Sequence, residues 1–359
     1  MELKDIKAVY FVGAGGIGMS AIARYFMKLG LVVAGYYKTP SNLTHQLEKE
    51  GMVIHYEEDI AEIPHACKNP ETTLVVYTPA VPSQHKELVF FQENGFEVEK
   101  RAQVLGRLTQ AHRGLCFAGT HGKTTTSTMC AHIMHQSHLD CNAFLGGISK
   151  NYGTNYILSD TSDFVVIEAD EFDRSFHWLR PWMSVITSTD ADHLDIYGTE
   201  EAYLESFRHY TELIQPGGAL VLHTNLAMRE HVQEGVKVYS YSRDKGDFHA
   251  ENIVIQNGEI TFDFVSPVET VRGISLGQPI PINIENSYNF SIEIGHNFYR
   301  WYDILKAIND VIFRYTHSEE QLIGESFIDE DKNYRIWMIL WKSSDFKNFV
   351  MRHLWYTFC

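Results

Sequence analysis

The apolar positions of the first hundred residues come in short strand-length runs separated by stretches with helical spacing. Ala8–Val12 is such a run, followed by glycines and then a helical pattern from Met19 to Leu29. Leu31–Ala34 predicts a second strand and Leu74–Tyr77 a third, which ends in the turn Thr78-Pro79-Ala80-Val81-Pro82. Strands alternating with helices in this way predict a parallel, doubly wound sheet.

A second unit begins near Gly114. Leu115–Ala118 is an apolar strand, followed by a glycine turn and a helix from about Lys123 to Gln136. Phe164–Ile167, Met183–Thr187 and Ala219–Leu222 predict further strands. The helical spacing of Ala202–Leu213 is stopped by Gln215-Pro216-Gly217-Gly218. From about Val236 to Phe264 short alternating strands predict an antiparallel section. The expected fold is therefore α/β: an N-terminal Rossmann-like parallel sheet over residues 1–110, then a central P-loop α/β domain over residues 111–287.

Residues 288–359 form an atypical C-terminal tail. They hold one alanine (Ala307), two glycines, no proline and four of the six tryptophans, a composition foreign to the rest. Ile304, Leu305, Ile308, Val311, Ile312 and Tyr315 nevertheless share one face of a helix.

A length of 359 residues favours two or three domains. A formal charge of −16 disfavours nucleic acid as a partner, because neutralising a phosphate backbone needs a basic face. It leaves room for small anionic substrates, which a local pocket of backbone amides and one lysine can hold. The five cysteines, at 67, 116, 130, 141 and 359, form no CxxC pair, which points to reduced thiols in a cytoplasm. With no signal-like segment at the N-terminus and no bilayer-length apolar run, the chain reads as cytoplasmic without membrane insertion. Nothing in the sequence indicates an oligomeric state.

Gly13-Ala14-Gly15-Gly16-Ile17-Gly18 places G-x-G-x-x-G between a strand and a helix. There the backbone approaches closely, and a helix N-terminus can hold a diphosphate. A nicotinamide dinucleotide would also need an acidic residue at the end of the second strand. That place reads Gly35-Tyr36-Tyr37-Lys38, and the next acidic residue is Glu48. A different diphosphate nucleotide is expected, with the two tyrosines available to a base or sugar.

Gly119-Thr120-His121-Gly122-Lys123-Thr124-Thr125-Thr126 follows an apolar strand and opens a helix. Phe117 stands where the usual P-loop has its leading glycine, but the G-K-T core is intact. In that pattern backbone amides cradle the phosphates, Lys123 neutralises the β and γ groups, and Thr124 offers a hydroxyl to Mg²⁺. Glu168-Ala169-Asp170-Glu171 and Asp190-Ala191-Asp192-His193-Leu194-Asp195 each follow an apolar strand. One acidic loop is ordinary; two, each at a strand end downstream of a P-loop, point to a magnesium site. Cys130, His132, His135, His138 and Cys141 crowd the helix after the loop, but their spacing does not put four ligands on one face. Surface histidines and core cysteines are the expected reading.

Taken together, GTHGKTTT, EADEFDRSF (168–176) and DADHLDIY (190–197) resemble the central domain of the Mur ligases. GAGGIGMSAIA (13–23), TPAVP (78–82) and Arg101-Ala102 resemble the UDP-binding domain of members that join alanine to a UDP-linked muramate. The resemblance covers roughly residues 1–287. It implies an ATP-dependent, Mg²⁺-requiring ligase of peptidoglycan synthesis, acting on UDP-N-acetylmuramate and L-alanine through an acyl phosphate. By position it implies Lys123, Glu168 and His193 as catalytic residues. ATP would meet Gly119, Thr120, His121, Gly122, Lys123, Thr124, Thr125, Asn283 and Asn286. Thr124 and Glu168 would hold one Mg²⁺ and His193 a second; Gly13, Gly15, Gly16 and Gly18 would hold the diphosphate of the UDP-sugar. Position 37, often aspartate in the family, is Tyr37 here. The family continues after Asn286-Ser287 with an alanine-rich helix and a third domain that binds the amino acid, none of which is present, so impaired ligation is the expectation. A muramate–tripeptide recycling ligase and a non-catalytic nucleotide-binding remnant are the alternatives.

Overall fold

The structure is a computed structural model that describes residues 1–226, 230–256 and 259–275. Asn283, Asn286, the tail and its helical stretch Ile304–Tyr315 lie outside the described residues.

The N-terminal unit is a five-stranded parallel sheet. Its strands are β1 (Ala8–Val12), β2 (Val32–Tyr36), β3 (Val53–His55), β4 (Thr73–Tyr77) and β5 (Glu97–Lys100), in the order β3-β2-β1-β4-β5. Helices α1 (Ile17–Lys28), α2 (Asn42–Lys49), α3 (Lys86–Glu93) and α4 (Arg101–Ala111) connect or follow them. The three strands read from apolar runs are β1, β2 and β4. β3 and β5 escape that reading because they are edge strands; β5 is Glu-Val-Glu-Lys, none of it fully buried. Its glutamates gain partners instead: Glu97 and Glu99 both bind Arg107 of α4.

The second unit is a seven-stranded sheet in the order β12-β11-β10-β6-β9-β7-β8, parallel except for β8 against β7. It comprises β6 (Arg113–Ala118), α5 (Lys123–Gln136), β7 (Asn142–Ser149), β8 (Thr154–Ile157), β9 (Phe164–Glu168), β10 (Met183–Ile186), α6 (Leu194–Tyr197), α7 (Glu200–Glu212), β11 (Ala219–His223) and β12 (Lys237–Tyr241). β13 (His249–Gln256), β14 (Glu259–Val265) and β15 (Thr270–Ser275) form a separate antiparallel sheet.

The antiparallel section is thus shorter than expected. Residues 237–241 pair parallel with β11 and extend the large sheet. As an edge strand, β12 is covered only in part, Lys237 and Val238 being exposed and Tyr241 buried. It therefore lacks the continuous apolar run of a central parallel strand.

α1 holds the two units together. One hydrophobic cluster joins its residues Ala21, Ile22, Tyr25 and Phe26 to Phe144 of β7 and Val165 and Ile167 of β9. The rings of Tyr25 and Phe144 meet edge to face at 5.9 Å. Arg24 lies 4.9 Å over the Tyr156 ring of β8, and Lys28 pairs with Asp160 at 2.8 Å.

Candidate functional site

In both sheets the glycine-rich turn follows the strand where the chain order reverses, the place at which open α/β sheets leave a crevice. In the N-terminal sheet that strand is β1, flanked by β2 and β4; in the second it is β6, flanked by β10 and β9.

The turn after β6 is built around left-handed backbone. Gly119 has φ +128° and Gly122 φ +87°, values that a side chain resists. At Gly119 a Cβ would also fall 2.2 Å from Thr187 Oγ1. The segment after β10 buttresses the loop. Ser188 accepts from the Thr120 and His121 amides, through its carbonyl and its hydroxyl, at 3.1 and 2.9 Å. Thr120 Oγ1 donates to the Asp190 carbonyl at 2.7 Å and meets Tyr203 Oη at 2.8 Å. Gly122 caps α5 with no side chain, which leaves the first-turn amides of Lys123, Thr124 and Thr125 directed at the mouth of the loop.

Lys123 Nζ donates to the Gly119 carbonyl at 2.8 Å and to Glu171 Oε1 at 2.9 Å. Glu171 is 1% exposed, and its Oε2 is buried with no partner among the described residues. Burial pushes its pKa up, while the Lys123 hydrogen bond and charge pull it back. Sequence reading placed Glu171 in an acidic cluster without singling it out; its neighbours are set by the turn after β9, which no spacing rule reveals.

Glu168 ends β9, and its Oε2 accepts from the Gly146 amide at 3.0 Å. A Cβ on Gly146 would lie 2.2 Å from that oxygen, and one on Gly147 would lie 3.3 Å from Thr124 Cγ2. The paired glycines of β7 therefore make room for Glu168 at Gly146 and for Thr124 at Gly147, at neighbouring positions along the strand. One hydroxyl and one carboxylate are the hard oxygen donors a nucleotide-bound Mg²⁺ takes from protein, its other ligands being phosphate and water. Among the described residues no group of three His, Cys, Asp or Glu gathers to hold a metal. Asp190, Asp192 and His193 follow β10, and Asp190 meets the loop through its carbonyl. His193 adopts φ +52° and packs edge-on to Phe172 at 5.3 Å; its amide binds Asp192 Oδ1 at 2.7 Å. His121 is exposed, 3.8 Å from Asp190.

A cavity of about 690 Å³ opens beside the loop, at the ends of β10, β11 and β12. Thr189, Asp190, His223, Asn225, Arg243 and Lys245 are among its lining residues.

At the N-terminal sheet, the Gly13 and Ala14 amides both donate to the Tyr36 carbonyl at 2.9 Å. No side chain caps α1 at Gly16. The Thr78-Pro79-Ala80-Val81-Pro82 turn comes against the loop, a Cβ at Gly13 falling 2.4 Å from Thr78 Cγ2. Tyr36 is buried, its ring 4.5 Å from that of His85, so it does not offer a free face to a base. Tyr37 lies against the loop, its ring 2.4 Å from where a Gly15 Cβ would stand. Gly18 is covered in the same way by the Arg101 guanidinium, 2.5 Å from such a Cβ.

The histidine-rich helix resolves mostly as expected. Cys130 and Cys141 are buried thiols with raised pKa, through desolvation. His135 is at the surface beside Asp140. His132, however, is 6% exposed and bonds Tyr152 Oη at 2.7 Å, so it belongs to the core.

Two glycine-rich turns stand at the switch strands of successive parallel sheets, the second holding Lys123 and Thr124 with Glu168 at the end of the adjacent strand, an arrangement of the nucleotide-binding α/β class of folds. Residues 8–113 match the Mur ligase family, catalytic domain, and residues 117–289 match the Mur ligase middle domain. The chain belongs to the Mur ligase family. It is 65% identical over 286 residues to the UDP-N-acetylmuramate–L-alanine ligase of Phocaeicola vulgatus, and 61% identical over 287 residues to that of Parabacteroides distasonis. Each alignment covers 80% of this chain and 62% of the relative, so the chain spans about six tenths of the length of these curated relatives. Among solved structures, a UDP-N-acetylmuramate-alanine ligase from Thermotoga maritima superposes with TM-score 0.59 at 25% identity, over 85% of this chain and 68% of that one. A UDP-N-acetylmuramate:L-alanyl-γ-D-glutamyl-meso-diaminopimelate ligase from Neisseria meningitidis shares the fold, with TM-score 0.63 at 22% identity, over 82% and 94% of the two chains.

Proposed function

We propose that this chain supplies the substrate- and ATP-binding parts of a ligase that joins L-alanine to UDP-N-acetylmuramate through an acyl phosphate. The observation that carries the reading is that Lys123 and Thr124 stand in the turn after β6 while Glu168 and Thr124 lie at neighbouring glycines of β7, on a chain 65% identical to a protein of that name. The α5 first-turn amides, with Gly119, Thr120, His121, Gly122 and Thr125, would surround the phosphates of ATP, and the neighbouring cavity suits its nucleoside end. Lys123 would leave Glu171 for the β- and γ-phosphates. Thr124 and Glu168 would hold Mg²⁺, with His193 facing the same phosphates from the β10 side. Such a cation would offset charge on the transferring phosphoryl group. The uncapped start of α1, with Gly13, Gly15, Gly16 and Gly18, would take the diphosphate of the sugar nucleotide.

Two substrates fixed on adjacent crevices meet as an intramolecular pair, which is where most of the acceleration of such a transfer arises. The test is to incubate the protein with UDP-N-acetylmuramate, Mg²⁺-ATP and hydroxylamine, and to look for the trapped hydroxamate by mass spectrometry; a parallel sample with alanine is checked for the amide. ADP release that is indifferent to UDP-N-acetylmuramate, with neither trapped product nor amide, would overturn the reading.

A further inference from the structure

We infer that Arg101 is the positioning residue for the carboxylate of the UDP-linked acid, holding it between the diphosphate turn and the phosphate-transfer site. The inference rests on the function proposed above and adds the group that carries the reacting end of the substrate.

Arg101 opens α4, and its guanidinium lies on the bare Cα of Gly18, in the first turn of α1. Its Nε is buried and has no hydrogen-bond partner among the described residues. Its neighbour Lys100 has an acidic partner instead, Asp173 at 3.6 Å. Burial lowers the Arg101 pKa, while the charges of Asp170 and Glu168 raise it. The Lys100–Asp173 pair and the packing of α4 on residues 172–178 put the start of α4 beside the segment that follows Glu168, while Gly18 puts the guanidinium against the diphosphate turn.

A half-buried guanidinium whose Nε is enclosed and unmet is unfavourable unless an anion answers it. The α1 amides already face the diphosphate, so the guanidinium is left for an anionic group further along the substrate. In a UDP-linked muramate that group is the lactyl carboxylate, whose two oxygens match the paired N–H edges of a guanidinium. Glycine at position 18 makes the arrangement possible, because any side chain there would displace Arg101.

The experiment compares Arg101→Gln and Arg101→Lys with the unaltered protein in calorimetric titrations of UDP-N-acetylmuramate and of UDP-N-acetylglucosamine, which has the same diphosphate and no carboxylate. Arg101→Gln is expected to weaken the muramate by about 10- to 100-fold and the glucosamine by less than about threefold, with Arg101→Lys recovering part of the loss. The melting temperature of Arg101→Gln should be equal or higher, since the substitution removes a half-buried charge with an unmet donor. Equal losses for both ligands would assign Arg101 to the diphosphate, and no loss for either would make it structural; each outcome overturns the inference. If the unaltered protein binds neither sugar nucleotide, it is the proposed function that fails.

Discussion

Glu171 offers the sharpest test of whether Lys123 is held ready for a phosphate. Its carboxylate is 1% exposed and 2.9 Å from Lys123 Nζ, while the other oxygen has no partner among the described residues. Glu171→Gln keeps the shape and one neutral acceptor but removes the charge. A charge-assisted hydrogen bond exceeds a neutral one by about 1–2 kcal/mol, so the nucleotide-free protein should lose about that much. With phosphates on Lys123 the same substitution should cost less, because the lysine has then found other anions. If half the loss persists, the nucleotide complex gains about 0.5–1 kcal/mol relative to the free protein, or roughly two- to fivefold tighter binding. The expected pattern is therefore a lower melting temperature without nucleotide, together with tighter ADP and Mg²⁺-ATP binding by calorimetry. Binding weakened fivefold or more would refute the reasoning and show that Glu171 supports Lys123 in the bound state.

Other expectations follow from distances and burial. Glu87 is fully buried, receives a hydrogen bond from Tyr10 Oη at 2.6 Å, and has its pKa pushed up to about 7, chiefly by desolvation. A carboxyl that binds its proton more tightly when folded stabilises fully below the unfolded value near 4.5, and that stability is lost as pH rises through 7. Relative to Glu87→Gln, the unaltered protein should thus lose on the order of 3 kcal/mol between pH 5 and pH 8; a pH-independent difference in urea midpoints would contradict this. Gly146→Ala should push Glu168 aside and lower Mg²⁺-dependent nucleotide affinity about tenfold, leaving magnesium-free binding within about twofold. Equal effects in both conditions would remove Glu168 from the metal site. Lys123→Ala should cost about 100-fold in ATP affinity with the circular dichroism unchanged, and unaltered affinity would deny it a phosphate role.

The parallel α/β architecture was legible because central strands such as Ala8–Val12 and Leu115–Ala118 are buried on both faces and read as unbroken apolar runs. β5 and β12 were not, since an edge strand carries charged and half-exposed residues. β7 was hidden by Gly146 and Gly147, which weaken a strand signal for the same reason that they admit Glu168. The phosphate turn was readable from local order alone. The contacts of Glu171 with Lys123 and of Arg101 with Gly18 were not, because they join residues 48 and 83 positions apart through tertiary packing.

α1 packs its inner face on the N-terminal sheet and also touches β7 and β8 of the second. A helix wedged this way acts as a gauge: it fixes the span between the Gly13–Gly18 turn, the proposed anchor of the sugar nucleotide, and the Glu168 carboxylate. Acceptors would then be sorted by reach as well as by charge. A UDP-linked acid whose carboxylate sits one bond too near or too far would bind at its diphosphate and still present nothing to the phosphoryl group.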